Sequence, residues 1–327
     1  MNAIIETRAL SKRYAAPRRA GQPGGRLAVN ELNLAIEPGA VFGFVGPNGA
    51  GKTTTMRILT TLLQPTAGEA WVAGHSILRD PRGVRRVVGF MPDFFGVYDD
   101  MKVHEYLDFF ADCYGIAARQ RRSMVEDLLT LVDLSHRADD MVDSLSRGMK
   151  QRLCLARTLV HDPTVLILDE PAAGLDPRAR IDIRELLREL RTMGKTVLFS
   201  SHILLEVADI CTHIGVIEAG SLVASGTMDE MQRFLRPIRV IRVRLTKPWN
   251  TAQETLFGKP GVSNVRPAVQ NGPEPITEFL FDLEGGDEDL CALLTDLVQG
   301  GAGVITCSEE KGNLEDVFLQ ITQGIVS

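Results

Sequence analysis

Eight consecutive residues, Gly46-Pro47-Asn48-Gly49-Ala50-Gly51-Lys52-Thr53, form a complete GxxxxGK[ST] run, and no other segment constrains the fold as tightly. Glycines let a backbone turn several N–H groups toward one point, which makes a concavity suited to an anion. The lysine then brings a cation to β- and γ-phosphates, and the threonine hydroxyl offers an oxygen to Mg²⁺. Such a run carries meaning only between a strand and a helix. Val41-Phe42-Gly43-Phe44-Val45 is a short apolar run suited to a buried strand. From Lys52 to Leu63 the apolar residues Met56, Leu59 and Leu63 keep a helical rhythm. Phosphates would then sit at a helix N-terminus, where unpaired N–H groups and the dipole favour anions, with Thr54 in the same rim.

The rest of the chain is consistent with a globular enzyme. Its 327 residues suggest two domains, and 44% hydrophobic with 24% charged residues is ordinary globular composition. A net charge of −6 argues against general nucleic-acid binding, which needs a basic face. No apolar stretch reaches the ~18 residues of a membrane span, and the N-terminal residues lack a signal peptide's apolar run, so a cytosolic protein is expected unless a partner holds it at a membrane. Cys113, Cys154, Cys211, Cys291 and Cys307 are odd in number, widely spaced and without a CxxC pair, which reads as reduced thiols.

Ala3 to Leu10 alternates loosely and reads as an edge strand. A Pro/Gly/Arg segment from Ala15 to Arg26 has no apolar period and is expected to be a mobile loop. A strand over 28–36, a hairpin over 68–77 and a strand over 87–91 follow. From Val103 to Arg157 the period becomes helical, with Val103, Tyr106, Leu107 and Phe110 on one face and Val125, Leu128, Leu129 and Val132 on another. The continuous apolar run Thr164–Leu168 reads as a central parallel strand. A helix over 178–193, a strand over 195–200 and a hairpin turning at Ala219-Gly220 complete an α/β unit. Beyond Pro237 the order strand, helix, strand, strand, helix, strand suggests a small ferredoxin-like α+β sandwich, ending in a helix over 314–321 that Asn313 and Asp316 can cap. That part shows no catalytic cluster.

The strand over Val165–Leu168 runs directly into Asp169-Glu170. Successive residues at a strand end aim differently, so two carboxylates can take two tasks. Asp169 suits a Mg²⁺ shell, and Glu170 can polarise an attacking water.

With these residues the chain resembles the nucleotide-binding subunit of an ATP-binding cassette (ABC) transporter over about residues 3 to 228. Gly46–Thr53 corresponds to Walker A and Val165–Glu170 to Walker B with its catalytic glutamate. Leu145-Ser146-Arg147-Gly148-Met149 stands where the family has its LSGGQ signature, Gly174-Leu175-Asp176 matches the D-loop, and His202 the switch histidine. Tyr14 stands where the family places a ring against adenine.

The resemblance implies a P-loop NTPase cassette in residues 1–230, a mixed-sheet core plus a helical subdomain at about 94–160, followed by an accessory domain in 238–327. It implies ATP and Mg²⁺ as ligands, with Thr53, Asp169 and Asp93 toward the metal. Asp93 replaces the usual Q-loop glutamine, so it would ligate Mg²⁺ directly or through water, or serve coupling to a membrane partner. Ser146 and Gly148 would face the γ-phosphate held by a second copy, so a homodimer completes each site. Arg147 either adds a cation near those phosphates or points to solvent. The accessory domain is regulatory, dimer-stabilising or a plain packing module.

The implied function is the ATPase subunit of an exporter, working through separate transmembrane permease subunits at the inner face of the cell membrane, with no nucleic acid. The helical region would receive the cytoplasmic helices of those subunits. The competing reading is an ABC-type ATPase acting on DNA or ribosomes without a membrane partner.

Overall fold

A computed structural model describes residues 3–15, 25–93, 96, 98, 100–202, 210–227, 230–231, 238–246, 249–268 and 277–310. Most of the segment over 15–26 and all of the helix expected over 314–321, with its Asn313/Asp316 cap, lie outside these residues. The described residues up to 227 form one compact unit, and those from 230 to 310 a second.

The first unit begins with an antiparallel sheet. Strand β1 (Ile5–Tyr14) pairs with β2 (Arg26–Ile36) on one side and β4 (Ala67–Val72) on the other, and β5 (His75–Ser76) follows β4. The expectation of an edge strand at the N-terminus is therefore corrected: β1 is interior. Loose alternation misleads here because β1 carries register shifts between Thr7 and Leu10 and again beyond Leu10. The Thr7 hydroxyl repairs one break, donating to Leu32 O at 2.8 Å and accepting from Leu34 N at 2.9 Å.

The second sheet has the order β10-β9-β3-β8-β7-β6. It comprises β3 (Val41–Val45), β6 (Val88–Met91), β7 (Val165–Leu168), β8 (Thr196–Ser201), β9 (His213–Glu218) and β10 (Ser221–Thr227). All pairs are parallel except the β9–β10 hairpin. Every residue of β3, β7 and β8 is buried, which is why β3 and β7 read as continuous apolar runs rather than alternating ones. Helix α1 (Lys52–Leu59) packs Met56, Ile58 and Leu59 into a core shared by the two sheets. It stops short of the expected Leu63, because Thr61 takes φ = 63°.

A short helix the apolar pattern does not single out, α2 (Pro81–Val87), is capped by Asp80, which accepts from Gly83 N at 2.9 Å. Helices α3 (Val103–Cys113), α4 (Ala118–Leu131) and α5 (Arg147–Leu159) form the helical insertion and pack on one another. Helix α6 (Pro177–Thr192) starts with Asp176 as N-cap and Pro177 in its first turn, and buries the stripe Ile183, Leu186, Leu187 and Leu190.

The second unit runs β11 (Ile238–Leu245), α7 (Asn250–Leu256), β12 (Val262–Pro267), β13 (Glu278–Glu284), α8 (Asp287–Gln299) and β14 (Val304–Glu309). The strand order β12-β13-β11-β14, antiparallel throughout, is the ferredoxin-like arrangement. Ile241 lies opposite Phe281 and Val243 opposite Phe279, and these side chains are covered by Ala252 and Leu256 of α7 and by Leu293 and Leu297 of α8.

Phe281 is fully buried, whereas Phe257 is 86% exposed. Phe281→Ala is expected to destabilise the second unit by about 3–5 kcal/mol, and Phe257→Ala to stay within about 0.5 kcal/mol of the parent. Hydrogen exchange of the β11 and β13 amides under increasing denaturant reads both; equal effects would contradict this core.

Candidate functional site

The loop between β3 and α1 is shaped by what lies behind it. Gly49 and Gly51 take φ = 85° and 109°, in the left-handed range that suits glycine. A Cβ on Gly46 would come within 2.2 Å of Ile217 O, and one on Gly51 within 2.3 Å of Ala28 O. Side chains are thus excluded by backbone from β9 and β2, not only by torsion. Ala50 N donates to Pro47 O at 3.2 Å, and Gly220 N donates to Ala50 O at 2.9 Å, so the β9–β10 turn holds the loop from below.

Lys52 begins α1 and is only 6% exposed. Its Nζ donates to Gly46 O at 2.6 Å and Pro47 O at 3.3 Å, and lies 3.5 Å from Glu170 Oε1. Burial pulls the ammonium below the usual lysine range, and Glu170 and Asp169 work against that pull. The site's acids come from the end of β7. Asp169 is 2% exposed. Its Oδ1 accepts from Ser200 Oγ at 2.7 Å, and the nearby Thr53 side chain also favours its ionised form. Burial raises the Asp169 pKa; the Ser200 and Thr53 side chains oppose this, and the charges of Asp93 and Glu170 add to it.

Glu170 has φ = 52°, a left-handed conformation rare for a residue with a long side chain. Its Oε2 lies 2.7 Å from His202 Nδ1, so the carboxylate stands between Lys52 and His202. Tyr14 Oη and Thr54 Oγ1 are 3.4 Å apart at the rim, and Arg26 Nη2 donates to Gly49 O at 3.1 Å.

These groups surround one cleft of about 390 Å³. Of the residues named from sequence, Tyr14, Pro47, Asn48, Gly49, Gly51, Lys52, Thr53, Thr54, Asp93, Glu170 and His202 line it. Gly46 and Ala50 lie just behind, and Asp169 lies beneath Thr53. Ala28 and Ala173 also line it without having been singled out, as does Arg26, from the segment over 15–26 whose arginines could touch lipid, nucleotide phosphate or only solvent. Ser200 was missed as well: its hydroxyl stands one step past the β7–β8 backbone ladder, which only the paired strands reveal.

Ser146, Gly148 and Asp176 stand apart from this lining. Ser146 caps α5, accepting from Met149 N at 3.3 Å, and Asp176 caps α6, accepting from Ala179 N at 2.9 Å. A Cβ on Gly148 would come to 3.3 Å from Ala179 Cβ, so the starts of α5 and α6 touch there. Arg147 is exposed at the start of α5. Its guanidinium lies against Gly174 and donates to Ala173 O at 3.3 Å, while Gln151 donates to Pro171 O. Two side chains of α5 thereby grip the turn that follows Glu170.

The oxygen donors fit a magnesium ion: Thr53 and Asp93 line the same cleft, and the Asp169 carboxylate is near the Thr53 side chain. One or two carboxylates with phosphate and water oxygens are the usual set for this hard cation.

Residues 29–173 match the ABC transporter family. The Nod factor export ATP-binding protein I of Cupriavidus metallidurans is 40% identical, over 98% of this chain and 98% of that protein. The protein of the same name from Burkholderia orbicola is 36% identical, over 98% and 97%. Among solved structures, an ATP-binding subunit of an ABC transporter aligns with a TM-score of 0.61 at 27% identity, over 71% of this chain and 92% of that one.

The raised Asp169 pKa has a consequence for stability. A carboxyl whose folded pKa lies above its unfolded value opposes folding above that folded pKa, and the opposition fades as pH falls through it. Asp169→Asn keeps an acceptor for Ser200 and removes the buried charge. At pH 7 the nucleotide-free variant is expected to be at least as stable as the parent, by about 0.5–2 kcal/mol if the gain is typical of functional-site charges. Denaturant unfolding measures this, and a clear loss of stability would contradict it.

Proposed function

The chain belongs to the ABC transporter ATP-binding family and is an ATP-binding ATPase of it, and on that premise we propose that it is the motor subunit of a membrane exporter. Support for export comes from the relatives, which carry the name of export ATP-binding proteins along nearly their whole length. The membrane path belongs, in this reading, to separate permease subunits that dock on the helices α3 to α5, which holds the chain at the inner face of the membrane. Among the described residues no helix is long and apolar enough to cross a membrane.

Residue by residue, the triphosphate lies along the loop Gly46–Thr53, with its charge met by inward N–H groups, the α1 dipole and Lys52. Tyr14 stacks against adenine. Thr53 and Asp169, with Asp93, would hold Mg²⁺, which when bound would neutralise phosphate charge. Glu170 orients a water and draws on its proton as the water oxygen bonds to the γ-phosphorus. The bond from that phosphorus to the ADP oxygen breaks, giving ADP and inorganic phosphate. His202 steadies the Glu170 carboxylate and reaches toward the γ-phosphate. The observation that carries this assignment is the placement of Glu170 between Lys52 and His202 at the edge of the phosphate-loop cleft.

Ser146 and Gly148 lie at the exposed start of α5, away from the cleft of their own chain. We assign them to the γ-phosphate in a second copy, with Asp176 at the same seam, so that two chains enclose two ATP molecules. Closing of the pair on ATP pulls on the permease, and hydrolysis resets it.

Glu170→Gln is expected to retain ATP binding, to lose hydrolysis by about 10²-fold or more, and to accumulate an ATP-bound dimer in light scattering. Turnover near that of the parent would remove Glu170 from this role. Mixing two inactive variants, Lys52→Ala and Ser146→Arg, should restore part of the activity, because each mixed dimer keeps one intact composite site. If mixed dimers form and remain inactive, the site is not shared.

A further inference from the structure

We infer that Ser200 is a positioning residue for hydrolysis: its hydroxyl fixes the backbone of Glu170 and so sets where that carboxylate points. The inference rests on the role proposed above for Glu170. Ser200 is fully buried at the end of β8. Its Oγ donates to Asp169 Oδ1 at 2.7 Å and accepts from Glu170 N at 2.9 Å. An ionised carboxylate can only accept, so the Ser200 proton belongs to Asp169 and a lone pair is left facing the Glu170 N–H. One hydroxyl therefore holds both acids in a defined relation.

The location matters. The parallel ladder between β7 and β8 ends at the pair Leu168 and Phe199. One residue further on, the Ser200 side chain takes over from the backbone. Asp169 N has its own partner, Met91 O at 2.8 Å on β6, and Glu170 O accepts from Ala173 N at 3.1 Å. Both ends of Glu170 are thus anchored, and Ser200 supplies the N-terminal anchor.

That anchor is needed because φ = 52° is a conformation a glutamate leaves readily. With the backbone held there, the side chain projects between Lys52 and His202. His202 follows Ser200 by two residues, so the end of one strand grips Glu170 twice, by its N–H and by its carboxylate.

A buried serine that merely satisfies its neighbours would matter for stability alone, and the two roles separate experimentally. In the full-length protein without nucleotide, Ser200→Ala should raise exchange of the Glu170 amide by about tenfold, the scale of one lost hydrogen bond, and leave the β7 and β8 amides protected. Affinity for ATP should stay within about threefold while kcat falls by about 10- to 100-fold, the scale of a misaligned reacting group. Ser200→Thr, which keeps the hydroxyl, should restore both readings. Ser200→Cys, with a weak donor and acceptor and no added methyl, should fall in between, and it carries the comparison if the alanine or threonine variant does not fold.

Unchanged exchange at Glu170 with unchanged kcat would overturn the inference. So would a loss of turnover that follows general loosening of β7 and β8, or one that neither threonine nor cysteine relieves. A parent protein without ATPase activity would instead sink the role given to Glu170, and the exchange measurement would still report on the Ser200 anchor.

Discussion

One ammonium and two carboxylates share a small space at the head of the parallel sheet. Lys52, Asp169 and Glu170 are 6%, 2% and 15% exposed, and none has full hydration. Removing charges from water is costly unless partners replace the lost hydrogen bonds. Here the replacements come from fixed positions: loop carbonyls for Lys52, the Ser200 hydroxyl for Asp169, and Lys52 with His202 for Glu170. The partners sit just beyond β3, at the end of β8 and at the start of α1. The cluster is tolerable only when β3, β7 and β8 are in register and α1 is docked, so the order of the sheet and the chemistry of the site depend on each other. The pKa shifts, down for Lys52 and up for Asp169, both follow burial first, so some desolvation survives that compensation.

What was legible in sequence follows from how local each signal is. The phosphate loop needs only eight adjacent residues and its flanks, and the buried strands β3 and β7 announce themselves as apolar runs. Helical faces in α3 and α4 follow from spacing alone. The interior position of β1 did not, because its register shifts break the two-residue period that an interior strand would show. Helix α2 depends on one cap, Asp80, and is too short for a clear period. Ser200 gives no sequence signal, since a buried serine is known as a hydroxyl bridge only when the strands on both sides are in place. Ser146, Gly148 and Asp176 were found through family resemblance, and the structure shows only their cap positions and the contact between α5 and α6.

Arg147 illustrates how a departure from a family pattern can be absorbed. Where the family has glycine, this chain has a guanidinium that lies on Gly174 and reaches Ala173 O. Together with Gln151 on Pro171 O, it ties the start of α5 to the turn after Glu170. Gly174, at φ = 68°, leaves the room that this packing uses. The second unit, by contrast, is conventional in its packing. Alternating residues of β11 and β13 meet the apolar sides of α7 and α8, and its arginines pair with nearby acids, as Arg239 does with Glu309 and Arg242 with Glu278.

The bond from Gly220 N to Ala50 O, with Asn30 N bound in turn to Gly220 O, joins the phosphate loop to a turn roughly 170 residues further along the chain. On a ribosome, that distance corresponds to a delay on the order of ten to thirty-five seconds. Through that interval the nascent chain carries the whole loop motif without the hairpin that closes beneath it. Nucleotide can therefore stabilise only a completed first unit, which makes ligand binding a late check on assembly rather than an early guide to folding.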